Sequence, residues 1–198
     1  MPVAYLKPEK SKYTYNDYLK WPDDKKWELI EGVPYDMSPA PSTQHQRVAG
    51  ELFFQIKRFL ADTATCEVFF TPFDVRFAKT GETDEEITDV VQPDIAVICD
   101  SSKIDERGCR GAPDWIIEVL SPYTTSKDFI QKRRLYEENG VKEYWLVHPR
   151  DLIVTVFTLQ KDGKYGKPSF YTGDTPIEVN TLQPLSIDFE TVFRHPSA

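Results

Sequence analysis

Asp114-Trp115-Ile116-Ile117-Glu118-Val119-Leu120-Ser121 is the most hydrophobic strand candidate in the chain, and it carries a carboxylate in its middle. With a period of two, Asp114, Ile116, Glu118 and Leu120 share one face, and Trp115, Ile117 and Val119 the other. A carboxylate buried there without a partner costs on the order of several kcal/mol. Glu118 therefore requires a counter-cation, a hydrogen-bonding partner or a raised pKa. An internal salt bridge to a lysine or arginine is the plain solution; a functional site is the other.

The preceding apolar stretch has the same anomaly at its other end. In Val91-Gln92-Pro93-Asp94-Ile95-Ala96-Val97-Ile98, proline has no N–H to give to a ladder, so Pro93 marks the beginning or the edge of a strand. Asp94 then opens that strand, whereas Glu118 sits toward the end of the next. Antiparallel pairing brings those ends together and makes the two carboxylates converge. Converging anions in apolar surroundings repel, and a hard divalent cation with oxygen ligands relieves the repulsion. Magnesium accepts one or two protein carboxylates and keeps its waters, which suits metal-assisted hydrolysis.

Two helices accompany these strands. From His45 to Leu60 the apolar positions Val48, Ala49, Leu52, Phe53, Ile56, Phe59 and Leu60 recur at three and four, the mark of an amphipathic helix. Pro39-Ala40-Pro41-Ser42-Thr43 breaks the chain before it and can supply its cap. His45 starts the stripe that faces the core, where a capping or packing role competes with contact to a substrate. Ser126 to Glu138 reads as a second helix, closed by Asn139-Gly140. Asp128, Lys132 and Tyr136, spaced by four, share one face of it. Lys127, Lys132, Arg133 and Arg134 make it the densest basic segment of the chain. Exposure is the ordinary fate of such lysines; Lys132 stands out because it shares a face with Tyr136 near the end of the Glu118 strand.

Trp27 to Met37 reads as two short strands around a Glu31-Gly32 turn. Cys66 to Phe77, Val90 to Cys99, Glu143 to Val147 and Leu152 to Leu159 supply further strands, the last two joined at Pro149-Arg150-Asp151. Strands in a consecutive run favour an antiparallel meander with helices packed on it, an α+β fold. Alternating βαβ units and a glycine-rich phosphate loop are both missing from this reading, which argues against a dinucleotide fold. At 198 residues and 40% hydrophobic content, the chain suits one domain, with an arm over 1–25, a core over 26–160 and a C-terminal extension over 161–198. No apolar run approaches the ~18 residues of a membrane span, and the start lacks a secretory pattern. Cys66, Cys99 and Cys109 cannot all pair, so reduced thiols in a cytoplasmic protein are expected. The spacing of the histidines and cysteines does not suit zinc.

The 24 basic and 32 acidic residues leave a net charge of −8, the wrong sign for holding nucleic acid by bulk electrostatics, though a local basic groove is still allowed. Glu82, Asp84, Glu85, Glu86 and Asp89 crowd one stretch that reads as a solvated hairpin loop.

Pro93-Asp94 followed by Glu118-Val119-Leu120 resembles a variant of the PD-(D/E)XK nuclease signature. A longer string is similar to the Uma-type restriction-endonuclease-like family. It comprises Trp27-Glu28-Leu29-Ile30-Glu31-Gly32, His45-Gln46-Arg47-Val48, Val91-Gln92-Pro93-Asp94 and Glu118-Val119-Leu120-Ser121-Pro122. It continues through Asp128, Lys132, Tyr136, Gly140-Val141 and Glu143-Tyr144-Trp145-Leu146-Val147. The resemblance implies a restriction-endonuclease-like αβββαβ core with a mostly antiparallel central sheet flanked by helices. It implies metal-binding carboxylates at Asp94 and Glu118, with the Val119 backbone carbonyl as a third ligand for Mg²⁺ or Mn²⁺. Leu120 occupies the place of the usual lysine, and Lys132 is the matching helix substitute. Glu31 and His45 match family positions in supporting roles; on the residues alone, Asp128 either orients Lys132 or forms a plain ion pair with it across adjacent helical turns. The expected activity is metal-dependent DNA cleavage, with Lys127, Arg133 and Arg134 as the DNA-binding patch and a homodimer as a possible assembly. A nuclease-like fold that has lost catalysis and serves as a nucleic-acid or protein binding module is the first rival. A glycoside hydrolase using Asp94 and Glu118 as acid and base ranks last, since Trp115 and Trp145 read as core and not as sugar platforms.

Overall fold

A computed structural model describes residues 10–22, 25–37, 40–63, 65–121 and 127–194. Residues 1–9 of the arm, Pro39, Pro122, the helix start at Ser126 and His195 lie outside the described residues.

The arm ends in a one-turn helix, α1 (Tyr15–Tyr18), closed by a reciprocal capping box between Thr14 and Asp17. Strands β1 (Trp27–Ile30) and β2 (Val33–Asp36) then form a hairpin. Its two turn residues, Glu31 and Gly32, both have positive φ (53° and 77°), as two-residue turns that follow the strand twist require. Helix α2 (Thr43–Thr63) follows, with the Ser42 hydroxyl accepting the His45 N–H at 3.2 Å as its cap. Val48, Leu52, Ile56 and Leu60, four residues apart, are its buried stripe.

The central sheet has six strands in the spatial order β12 (Ser169–Thr172), β11 (Ile153–Thr158), β10 (Glu143–His148), β9 (Trp115–Val119), β6 (Ile95–Ile98) and β3 (Glu67–Phe70). A second sheet runs β2, β1, β5 (Val90–Val91), β4 (Val75–Arg76), β8 (Gly108–Arg110) and β7 (Ile104–Asp105). A short pair, β13 (Ile177–Glu178) and β14 (Ser186–Ile187), and helix α4 (Phe189–Phe193) come last. Every residue of β9 is buried. Trp115, Ile117 and Val119 pack with Ile95, Val97 and Trp145 under the α2 stripe. On the opposite face Ile116 packs with Ala96, Ile98, Leu146 and Tyr136. Burying each such large side chain contributes about 1.5–3 kcal/mol, so β9 is the element the core is built around.

The chain crosses from β9 to β10 through helix α3 (Arg133–Glu138), entered by a π-helical turn at Lys127–Lys132. β9 and β10 pair in parallel, with Glu143 beside Trp115 and Leu146 beside Glu118. This is a βαβ unit within a sheet expected to be mostly antiparallel, where the sequence pattern predicts no such unit. The helix buries Leu135 and Tyr136 on the sheet, so the chain must return to the starting edge before the next strand. The other neighbouring pairs of the central sheet are antiparallel. The helix ends in a Schellman motif: Gly140 (φ 79°) donates to Glu137, and Val141 to Tyr136.

Three further expectations need correcting. Cys66 to Phe77 is not one strand: β3 belongs to the central sheet and β4 to the second. Within the C-terminal extension, Ile177, Val179, Ile187, Phe189 and Val192 sit in the main core with Trp145. Cys66 and Cys99 are joined by a disulfide and are not free thiols. The β3/β6 register, Glu67 opposite Ile98, places those cysteines across from one another one step further on. Cys109 remains free and buried, its thiol pushed up to about 12 by that burial. The acidic stretch is more ordered than a solvated loop: Asp84 pairs with Arg107 and Arg110, and Ile87 within it is buried. Among the described residues, no helix is long and apolar enough to cross a membrane.

Candidate functional site

β6 and β9 run antiparallel with Ile95 opposite Ile117, and one step along the same register Asp94 faces Glu118. The ladder stops there because the next residue is Pro93, which offers no N–H. The Val119 N–H instead donates to Asp94 Oδ2 at 2.7 Å, and the Asp94 N–H reaches Glu118 Oε2 at 3.4 Å. The Val119 carbonyl loses the donor that another residue at 93 would supply, and the His45 imidazole lies beside it. His45 Nε2 is 3.1 Å from Asp94 Oδ2, while its Nδ1 has no hydrogen-bond partner among the described residues.

The helix supplies the cation. Lys132 Nζ lies 2.8 Å from Glu118 Oε1, 2.7 Å from Glu28 Oε1 and 3.7 Å from Asp128 Oδ1. The Tyr136 hydroxyl donates to the same Glu118 Oε1 at 2.8 Å. π-Helical turns are rare and recur at functional sites; here one carries both Asp128 and Lys132, and the Asp128 carbonyl accepts the Tyr144 hydroxyl at 3.1 Å. Asp128, Lys132 and Tyr136 are thus all buried on the face that meets Glu118.

Burial, together with Asp128, Asp94 and Glu28, pushes Glu118 up to about 8 against the pull of Lys132. Glu28 moves the other way: burial opposes its ionisation, but Lys132 and Lys127 outweigh burial and hold it at about 2. Burial likewise opposes the charge on Lys132, and Glu118, Glu28 and Asp128 together raise it well above an ordinary lysine. His45 is raised as well, because Asp94 and Glu118 overcome its burial. One strongly basic ammonium is shared among carboxylates too crowded for all to ionise easily.

Glu28 is the site residue that sequence reasoning missed. It is fully buried on β1, its Oε2 is 2.6 Å from Lys127, and its Oε1 accepts the Gln92 N–H at 3.0 Å. The alternation rule that singled out Glu118 would have found it, since Glu28 shares a strand face with Ile30. The family string directed attention to Glu31 instead. Glu31 occupies the exposed hairpin turn, and among the described residues its carboxylate meets the outer Arg134, at 3.8 Å. Glu31→Ala is expected to change stability by no more than about 0.5 kcal/mol. Glu28→Gln, which breaks a buried pair, is expected to lose about 3 kcal/mol in urea unfolding at pH 7.

The basic patch does not assemble either. Lys127 is spent on Glu28 inside the cluster. Arg133 lies over the Phe157 ring, and Arg134 pairs with Glu138 and Glu31. Arg133 and Arg134 serve different partners because successive helical residues point in different directions, while Lys127, at the start of the π-helical turn, meets Glu28.

The donor set suits one small hard cation. Glu28, Asp94, Glu118 and Asp128 are four carboxylates against two lysines, Lys127 and Lys132, leaving two negative charges when all ionise and His45 is neutral. Asp94 Oδ1 accepts no hydrogen bond among the described residues, and Glu118 Oε2 accepts only the long one from Asp94. Those two oxygens and the Val119 carbonyl would hold Mg²⁺ or Mn²⁺. Among the described residues no three His, Cys, Asp or Glu side chains form a metal cage, and Mg²⁺ does not need one because it keeps its waters.

Comparison with known proteins agrees with this architecture. A protein of Synechocystis sp., the uncharacterized slr1290, is 24% identical over 196 residues, covering 98% of this chain and 94% of that protein. The crystal structure of a DUF820 protein from Anabaena variabilis, described as a "putative nuclease", superposes with a TM-score of 0.72 at 23% identity, covering 91% of this chain and 97% of that one. That likeness establishes a shared mixed α+β fold. The model of the Uma2 family, described as "Putative restriction endonuclease", matches residues 15–190, nearly the whole chain. The chain belongs to the Uma2 family.

Proposed function

We propose that this protein hydrolyses phosphodiester bonds in DNA with Mg²⁺ or Mn²⁺ held by Asp94, Glu118 and the Val119 carbonyl. The observation that carries the reading is the meeting of Asp94 and Glu118 at the interrupted end of the β6/β9 ladder, with Lys132 2.8 Å from Glu118. The family description and that of the Anabaena relative both name nuclease chemistry, which supports the same reading. The ion supplies Lewis acidity toward a phosphate oxygen when bound. Lys132, kept protonated by three carboxylates, sets fixed positive charge beside the reacting phosphate. Glu28 and Glu118 prevent that charge from swinging away, with Tyr136 fixing Glu118 in turn, and no reorganisation is then needed as the reaction proceeds. His45 orients Asp94 through Nε2, at 3.1 Å from Oδ2.

The rival reading is a catalytically silent, internally neutralised ion network, favoured by the double engagement of Lys132 and by the pairing of Lys127. A plasmid-nicking assay separates the two. Nicking in Mg²⁺ or Mn²⁺ that EDTA abolishes, and that Asp94→Asn also abolishes, is the expected result. Absence of nicking in either ion, with calorimetry showing no ion binding, would leave the silent network as the answer.

A further inference from the structure

Gln92 stands between two regions of the molecule. Its main-chain N–H donates to Glu28 inside the carboxylate–lysine cluster, whereas its side chain lines a separate cleft of ≈ 360 Å³. Phe69, Phe73, Tyr18, Asp74 and Arg107 line the same cleft. The rings of Phe69 and Phe73 lie parallel, with centroids 4.2 Å apart and planes 8° from one another. Both are half-buried, and together they make the kind of aromatic surface on which nucleobases stack.

The polar groups of the cleft are mostly acceptors. Asp74 Oδ1 accepts from Gln92 Nε2 at 2.8 Å and from the Tyr18 hydroxyl at 3.1 Å. With Nε2 committed to a carboxylate, the Gln92 amide cannot turn over, and its Oε1 is buried without a hydrogen-bond partner among the described residues. The residue is 8% exposed. A buried carbonyl oxygen left in that state is unfavourable unless something else brings a donor. Asp74 Oδ2 likewise accepts no hydrogen bond among the described residues. Arg107, paired with Asp84 through Nη1 at 3.0 Å, provides the rest of its guanidinium at the exposed side.

We propose that this cleft binds an unpaired guanine. Among the four DNA bases only guanine sets two N–H donors side by side, N1–H and the exocyclic N2 amine, and these match the hydrogen-bonding needs of Asp74 Oδ2 and of the buried, unsatisfied Gln92 Oε1. Its O6 acceptor suits Arg107. The edge that would be read is the one used in Watson–Crick pairing, so the base must come from a single strand or be turned out of a duplex. The cleft adjoins the phosphate-cleaving cluster through two main-chain bonds, Gln92 N–H to Glu28 and Thr71 N–H to the Asp94 carbonyl. A strand cleaved at Asp94 and Glu118 would therefore be read at a neighbouring guanine. This placement rests on the nuclease reading; binding of the base does not.

The test is titration of the full chain with dGMP, dAMP, dCMP and dTMP in EDTA, followed by amide shifts. The expected result is dGMP binding at least roughly tenfold tighter than the others, as a two-point base contact gives. Asp74→Asn should bring dGMP to within about twofold of dAMP, since it turns one acceptor into a donor. Phe73→Leu should weaken all four nucleotides about equally, because every base has a stacking face. If Asp74→Asn fails to fold, Arg107→Gln, at an exposed side chain, should still reduce the dGMP preference severalfold. Equal binding of the four nucleotides, or a preference untouched by either variant, overturns the proposal. Selective dGMP binding without any plasmid nicking would sink the nuclease reading alone, and nicking without dGMP preference would sink this one alone.

Discussion

Lys132→Met loses about 3–5 kcal/mol of unfolding free energy at pH 8. The methionine keeps the length and apolar stem of the lysine, so packing beside Tyr136 survives. Glu28, Glu118 and Asp128, however, lose the ammonium that stood 2.7, 2.8 and 3.7 Å away, and only Lys127 remains on Glu28. Carboxylates crowded in this way take up protons, so the deficit shrinks on acidification and is smaller at pH 5. Urea unfolding of both proteins at the two pH values checks this, and a loss below about 1 kcal/mol at both would mean that Lys132 is not what balances the cluster. Plasmid nicking by the folded variant falls about 10²–10³, the usual cost of removing one preorganised stabilising charge. Full nicking by Lys132→Met would reduce Lys132 to a structural counter-ion.

Glu118→Gln has a comparable effect with the opposite sign on stability. Glu118 binds its proton more tightly in the folded protein, at about 8, than in the unfolded chain, at 4.5. A group raised in this way contributes stability that is complete below pH 4.5 and disappears as pH rises through 8. The metal-free protein should therefore lose stability across that interval, on the order of several kcal/mol. Glutamine still offers an oxygen to Lys132 and Tyr136 but has no proton to release, so the variant's stability should stay nearly level there. Metal binding must displace the same proton, so Mn²⁺ affinity of the unmutated protein should rise about tenfold per pH unit below 8. Calorimetry across pH 6–8 measures that slope; a flat affinity would place the cation away from Glu118. Glu118→Gln itself should bind no Mn²⁺ and nick no plasmid.

Helix α2, the Glu31-Gly32 hairpin and strands β9, β10 and β11 were legible because each repeats its pattern long enough for period and turn chemistry to agree. The second sheet was not: β4, β5 and β7 have two residues each, too few for alternation to register. The parallel crossover was hidden because hydrophobic periodicity reports which face is buried and carries no strand direction. In the site, the approach of Asp94 to Glu118 could be read from Pro93 and from strand ends, and the shared face of Lys132 and Tyr136 from helical spacing. Glu28 escaped because its strand was read for its turn and not for its faces. The engagements of Lys127 with Glu28, 99 residues apart, and of Cys66 with Cys99 depend on tertiary register that local sequence does not encode.

Three of the basic side chains beside the site, Lys127, Lys132 and Arg134, are engaged by the protein's own carboxylates, which under the proposed function bears on how a strand arrives. Many nucleic-acid-binding proteins draw their target in with an outward positive field, which salt weakens. With Lys127, Lys132 and Arg134 internally matched and a net charge of −8, a polyanion approaching this molecule meets repulsion first. Mobile ions that shorten the reach of that repulsion help the encounter instead of hindering it. Collision frequency, not grip, is then the quantity that the ionic surroundings control. Under the proposed function, strands passing at a distance are left alone, and those brought close by screening or by crowding reach the cluster.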